Sequence, residues 1–426
     1  MIITTKEMVK EINNEIKTSL TLAHYVILLI VIYISDDTFN FGTNENYMYL
    51  IIKYIIYFFL TLYLIVASNL KFLTIFSKSL VVFYLIVFFV FMTSFFNLDL
   101  SGGYVYQIWL FFLAILIVNF YSHKEFVMTY SKLIYFISLI SLLIFVISSI
   151  SPSFFQIFPA QTNSAGATFY NLGICIVSFE NLYVRNMSIF REPGVFMIYL
   201  NMAIIFELFF KEKVNRRYLL VFIFAIFSTL STAAFLILGS ILIAYLFTKN
   251  KNKAVLKNKA LIMGLGIIAI AFIFSSSTFY SMIFDKIGKN SIGEGSSLAR
   301  GISVVANFNI FLENFIFGTG IKIYPLEFSK ATLALIGISL DIGNNTNTIT
   351  TLFAVYGFFI GCLFIFMLFS FAKKTSNSLI VRIIIFFVLI MFYSNEDLRY
   401  SLMSATLLMW GLKNKQKDKV VIGESI

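Results

Sequence analysis

The sequence predicts an all-α polytopic membrane protein, a single integral membrane domain over 1–426 with about twelve transmembrane helices and two long outer loops. Three observations predict it. Of the 426 residues, 59% are apolar and only 12% charged, about half the charged share of an ordinary soluble protein. Apolar runs long enough for a bilayer core recur from one end of the chain to the other. The net charge of +11 is concentrated in a few short connecting segments, the pattern of an orientation signal and not of a nucleic-acid footprint. This composition excludes a soluble multidomain enzyme, a disordered chain and a disulfide-stapled secreted protein.

The opening stretch MIITTKEMVKEINNEIKTSL mixes charges and lacks the basic start, apolar middle and small-residue cleavage site of a secretory signal. It reads as a short cytoplasmic segment. Twelve spans follow, at 20–35, 48–67, 80–96, 104–120, 132–150, 195–210, 218–231, 232–247, 260–275, 347–371, 379–393 and 400–412. The apolar stretch 218–247 is divided at Ser228-Thr229-Leu230-Ser231-Thr232, because hydroxyl side chains can satisfy a break in a helix within a membrane. Cytoplasmic segments are expected to carry the Lys and Arg. With the division made, 22 of the 32 basic residues fall on the side of the N-terminus, including the run KNKNKAVLKNK at 249–259, and both termini are cytoplasmic. Cys175 and Cys362 are far apart in sequence, and no CxxC, P-loop or GxGxxG motif is present. His24 and His123 read as structural.

Two connections are long, 151–194 and 276–346, and both fall on the outer side. They hold all four prolines: Pro152, Pro159, Pro193 and Pro325. Long ordered connections in compact proteins are usually functional. In the second, Val304, Val305, Phe308, Phe311, Leu312 and Phe315 recur at helical spacing, which predicts an amphipathic helix at the membrane surface. The first ends in Phe190-Arg191-Glu192-Pro193-Gly194-Val195-Phe196, a turn into a helix with Pro193 in its first turn. Arg191 there can face a cavity and grip a phosphate bidentately. The second loop adds Arg300, then Gly318-Thr319-Gly320, and ends in Asn345-Thr346-Asn347, where the asparagines suit sugar hydroxyls or a helix cap.

Taken in this order, these residues resemble the bacterial repeat-unit polymerases of the O-antigen and capsule type (Wzy-type) and the related O-antigen ligases. Phe190-Arg191-Glu192-Pro193-Gly194-Val195-Phe196 looks like the polymerase signature at the start of a span. The break at 228–232 is similar to the small-residue break in the family's paired helices. Arg300, followed by Phe317-Gly318-Thr319-Gly320, resembles the family's arginine and Gly-x-Gly turn, and Asn347 stands before Tyr356-Gly357 and Gly361 at a similar spacing. The likeness covers roughly 150–412. Ligases carry a histidine before that asparagine, and here it is Thr346, which favours the polymerase.

The resemblance implies a GT-C-like glycosyltransferase of the bacterial cell (inner) membrane, working without metal or cofactor on its outer, periplasmic face. Its substrate is an oligosaccharide on undecaprenyl diphosphate, and membrane lipids, a flippase and a chain-length regulator are the expected partners, with no nucleic acid. Such a transfer needs cations for the leaving diphosphate and a base for the attacking hydroxyl. Arg191 and Arg300 suit the first task and Glu192 the second, with Arg185, Asn345, Asn347, Arg399, Gly318 and Gly320 as substrate-binding candidates. Other outer carboxylates are Glu180, Glu294, Glu313, Glu327, Asp341, Glu396 and Asp397, with Asp36, Asp37, Glu45 and Asp99 in short loops. The competing readings are a lipid-linked oligosaccharide flippase or other carrier, which would place charges such as Lys53, Glu207 and Arg382 inside spans, and a ligase.

Overall fold

The computed structural model describes residues 20–42, 47–68, 77–162, 168–180, 183–248 and 294–413. The N-terminal segment, the basic run 249–259 and the span expected at 260–275 lie outside them. The helices are α1 (Leu22–Tyr33), α2 (Phe39–Gly42), α3 (Tyr47–Ser68), α4 (Lys78–Phe96), α5 (Gly102–Phe120), α6 (His123–Ile150), α7 (Pro193–Ile205, continued by a π-helical turn Phe206–Phe210), α8 (Arg216–Thr229), α9 (Thr232–Leu246), α10 (Glu294–Glu313), α11 (Tyr324–Ile336), α12 (Thr348–Thr375), α13 (Leu379–Asn395) and α14 (Leu402–Leu412). Among the described residues six helices are long and apolar enough to cross a membrane: α3, α4, α5, α6, α7 with its π-helical end, and α12. This is the build of a polytopic membrane protein.

The centre of the bundle is α5, α7 and α14. Every residue of α14 is buried, as is α7 from Val195 to Ile205, and α14 packs along α5. Trp410 is the hub at the lower end, ringed by His123, Phe126, Phe206, Phe210 and Phe371 with centroids 4.2–5.6 Å away. The outward faces of α3 and α4 stay apolar, with Phe58, Phe59, Phe88 and Phe91 exposed, as a surface facing acyl chains requires.

The all-α expectation misses one element. The first long loop folds into a four-stranded antiparallel meander, β1 (Ala160–Thr162), β2 (Thr168–Asn171), β3 (Ile176–Glu180) and β4 (Tyr183–Asn186). Its inward side chains, Cys175 and Val177 with Phe155, pack on Ile144 of α6. Strands this short carry a weak signal beside apolar runs four times their length.

Two helix breaks shape the same end of the bundle. α8 stops at Thr229, Leu230 turns left-handed (φ 51°), and α9 begins at Thr232. The hydroxyls of Ser228 and Thr229 bond back to Ala225 O and Ile226 O. The second break lies inside α12, where Gly357 takes φ 77°. The backbone groups it frees are met by the second long loop: Thr319 N donates to Ala354 O (3.0 Å), Gly320 N to Val355 O (3.0 Å), and Phe358 N to Phe315 O (2.9 Å). Thr93 Oγ1 of α4 reaches Tyr356 O at 3.4 Å. A kink in a membrane helix is tolerable when its backbone is satisfied in this way. Gly318 (φ 65°) is needed for the approach, because a Cβ there would collide with the Val355 carbonyl.

The left-handed φ and the Ile316 carbonyl pressed against it leave no room for a side chain at Gly357. Gly357→Ala is expected to cost about 2 kcal/mol in denaturant unfolding of the detergent-solubilised protein. Gly239→Ala, in α9 with open space around it, is expected to be neutral or to gain up to about 1 kcal/mol in the same assay.

Candidate functional site

Segment 35–42 follows α1 and runs beside the chain leading into α7. Phe39 N donates to Ile189 O and Arg191 N to Asp37 O, each at 3.0 Å, around a bridge between Thr38 and Phe190. This strand-like pairing brings Asp36 and Asp37 to Arg191. The turn after α13 supplies the third side: Arg191 Nη2 donates to Asp397 O at 2.7 Å and lies 4.0 Å from Glu396 Oε2. Between these segments and the ends of α3 and α5 is a cavity of about 340 Å³, lined by Asp36, Lys53, Tyr54, Tyr106, Arg191, Asp397 and Tyr400 with Gly42, Gly102 and Gly103. That volume lies within the range of small-ligand sites.

The cavity is charged on both sides. Lys53 is 4% exposed, and its Nζ meets Asp36 Oδ1 at 2.7 Å. Tyr106 donates to Asp36 Oδ2 at 3.1 Å, and the Lys53 ammonium lies 5.2 Å from the Tyr106 ring centroid. Burial pushes the Asp36 carboxyl above its ordinary value against the pull of Lys53. Asp397 takes the opposite course. Burial would raise it, but Arg399, bonded at 2.9 Å through Nε and 2.7 Å through Nη2, holds it below the usual carboxylate value. Tyr324 and Tyr400 flank the Arg399 guanidinium at 5.5 and 5.4 Å.

Behind the wall lie two further carboxyls. Asp37 Oδ2 accepts from Tyr199 (2.5 Å), Ser401 (2.5 Å) and Ser35 (3.2 Å). Glu396 is 2% exposed and lies against Gly194, whose missing side chain makes its room. Burial and the nearby charge of Glu192 push Glu396 up to about 8, against Arg191 and Arg300.

The structure brings some of the sequence-predicted residues together and not others. Arg191 lines the cavity. Arg399 stands directly behind it through Asp397. Glu192 is exposed at the start of α7 and does not line the cavity. Arg300, on α10, reaches the group by its charge on Glu396. Arg185 lies elsewhere: on β4, its Nε donates to Thr229 O (3.2 Å) at the α8 break. Gly318 and Gly320 serve the kink of α12. Asn347 caps α12, accepting from Thr350 N at 2.9 Å. Asn345 donates to Tyr324 Oη (2.9 Å) and Thr351 Oγ1 (2.6 Å) and receives Asn307 Nδ2 at 3.3 Å, so it pins α10 and α11 onto α12. Sequence reasoning missed Lys53, named only among the charges a carrier would place inside spans, and did not single out Asp36 or the tyrosines. A lysine one turn into a span, with two aspartates before it in the preceding loop, was the available signal. Among the described residues no group of three or more His, Cys, Asp or Glu side chains is placed to hold a metal ion.

The chain matches no protein-family model, no curated protein and no solved structure.

Removing one member of the Lys53–Asp36 pair leaves a partly buried charge alone. Lys53→Met is expected to lower stability by about 2 kcal/mol in detergent, and adding Asp36→Asn is expected to recover more than half of that loss, read as a double-mutant cycle in denaturant unfolding.

Proposed function

We propose that the chain polymerises lipid-linked oligosaccharide repeat units, O-antigen or capsular, on the outer face of a bacterial cell membrane. It would transfer the growing glycan from undecaprenyl diphosphate to the sugar end of a new lipid-linked unit. The observation that carries the reading is the cavity where Arg191 and Lys53 face Asp36 among three tyrosines, joined to the resemblance of 190–196 to the polymerase signature. The bond formed is between an acceptor hydroxyl oxygen and the anomeric carbon; the bond broken joins that carbon to the donor phosphate. The hydroxyl proton passes to Asp36, whose raised pKa suits a general base. The charge left on the diphosphate is met by Arg191 and Lys53. Tyr54, Tyr106 and Tyr400 offer ring faces and hydroxyls to the sugars. Asp36 thus takes the role first given to Glu192, which is exposed and away from the cavity.

In this reading the bundle has twelve spans, its termini are cytoplasmic and the cavity opens outward. The basic side chains Lys124, Lys211, Lys213, Arg216, Arg217, Lys373, Lys374 and Lys413 cluster at helix ends remote from the cavity, in keeping with the positive-inside rule. Exposed Val304, Val305, Phe308 and Leu312 of α10, opposite buried Ser303 and Asn307, suit a helix resting in the interface. A carrier is less well supported. Glu207 is paired with Lys211 in the last turn of its helix, and Arg382 donates to Ser376 O at a helix start, so neither lies midway along a span. A ligase is also less well supported, since His24 and His123 stand at the other end of the bundle.

The test is restoration of the polysaccharide ladder in a polymerase-null strain. Wild type is expected to restore long chains, while Arg191→Ala and Asp36→Asn leave single repeat units at normal protein levels and Arg300→Ala shortens the ladder. Long chains from both arginine variants would overturn the site assignment.

A further inference from the structure

Three outer segments meet at one side chain. Arg191 ends the first long loop, Arg300 is on α10 of the second, and Glu396 is in the turn between α13 and α14. Glu396 does not line the cavity, so it cannot exchange a proton with a ligand there. It is nevertheless held with care. Thr348 Oγ1 donates to Glu396 O at 2.5 Å and accepts from Leu398 N at 2.8 Å, fixing the turn to the start of α12. Gly194 lets the carboxyl sit against the first turn of α7. Its Oε2 lies 4.0 Å from Arg191 Nη2. Its Oε1, Arg191 Nε and Arg300 Nε are all buried and find no hydrogen-bond partner among the described residues. Two guanidinium groups and one carboxyl are thus gathered without being saturated by one another, an arrangement that is costly to maintain unless it serves a further group.

We propose that Glu396 is a positioning residue that sets how much of the Arg191 and Arg300 charge is offered to a diphosphate in the cavity. The proposal rests on the polymerase reading for its substrate but not for its geometry. When Glu396 is a neutral acid, Arg191 keeps its donor at Asp397 O and its charge is free to meet phosphate oxygens. When Glu396 is ionised, it competes for the same guanidinium. The charged and titratable groups facing it are Glu192 and Arg191 at the start of α7, Arg300 on α10, Asp37 after α1 and Asp397 beside it. Burial and the charge of Glu192 push the Glu396 carboxyl up to about 8, so it passes from mainly neutral to mainly ionised around that pH, and diphosphate binding is strong below it and weakens above it.

The experiment is inorganic pyrophosphate binding to the purified full-length chain in lipid nanodiscs from pH 6.5 to 9.5. Between pH 7 and 9 the wild-type affinity is expected to fall about tenfold further than that of Glu396→Gln, which keeps the neutral shape and cannot ionise. Glu192→Gln changes an exposed side chain and removes a charge that raises Glu396, so it is expected to move the wild-type fall to lower pH. The proposal is overturned if Glu396→Gln follows the wild-type pH profile, if Glu192→Gln leaves the midpoint in place, or if pyrophosphate binds neither protein. A wild-type chain that binds with this profile yet restores no polysaccharide ladder would sink the polymerase reading and leave the positioning role standing.

Discussion

Asp37 is fully buried, and one of its oxygens collects hydroxyls from Tyr199 in α7, Ser401 before α14 and Ser35 after α1. Its backbone carbonyl takes the Arg191 amide. An ionisable group this far from water is tolerable only if other parts of the chain bring donors to it, and the parts that do so are separated by more than three hundred residues. The same demand repeats outward. Lys53 answers Asp36, Arg399 answers Asp397, and Arg191 answers the Asp397 carbonyl. The cavity exists because these short segments have to converge, and its walls are the backs of the pairs that hold them.

Apolar packing does a different task lower in the bundle. Around Trp410 the ring contacts are stacked, tilted and edge-on, and Lys374 Nζ bonds the Trp410 carbonyl at 2.8 Å. The turns are fixed by polar bonds that saturate backbone, as where 315–320 docks onto the broken α12. The cavity end is therefore specified mainly by hydrogen bonds and charge, while the opposite end joins aromatic packing to lysine ties such as Lys413 Nζ to Val118 O and Tyr121 O.

This division explains what the sequence made legible. Apolar runs of about 20 residues announce their helices directly, and the break at 228–232 was readable because Ser and Thr can bond back to the preceding turn, as Ser228 and Thr229 do. Arg191 stood out because a charged pair before Pro-Gly has a local geometry. The partners of Arg191 did not, since Asp37 is 154 positions before it and Asp397 is 206 after it, and no periodicity spans such gaps. Gly318 and Gly320 were recognisable as glycines that matter, but whether they approach a ligand or a neighbouring backbone depends on where α12 bends. Arg185 looked available for phosphate until the meander, invisible as short strands, carried it to the Thr229 carbonyl.

The position of α14 has a consequence for how the protein is made. Leu402–Leu412 lies at the middle of the bundle yet leaves the ribosome after every other described helix. The earlier helices must wait in the membrane with an open slot lined by α5 and α12, and contacts closed across such distances in sequence are slow to form. Because Asp397, Arg399 and Ser401 arrive on the same stretch, the slot and the charged pocket are completed in a single late event. A chain that stalls before that event lacks both the buried centre of the bundle and the Asp397–Arg399 side of the cavity.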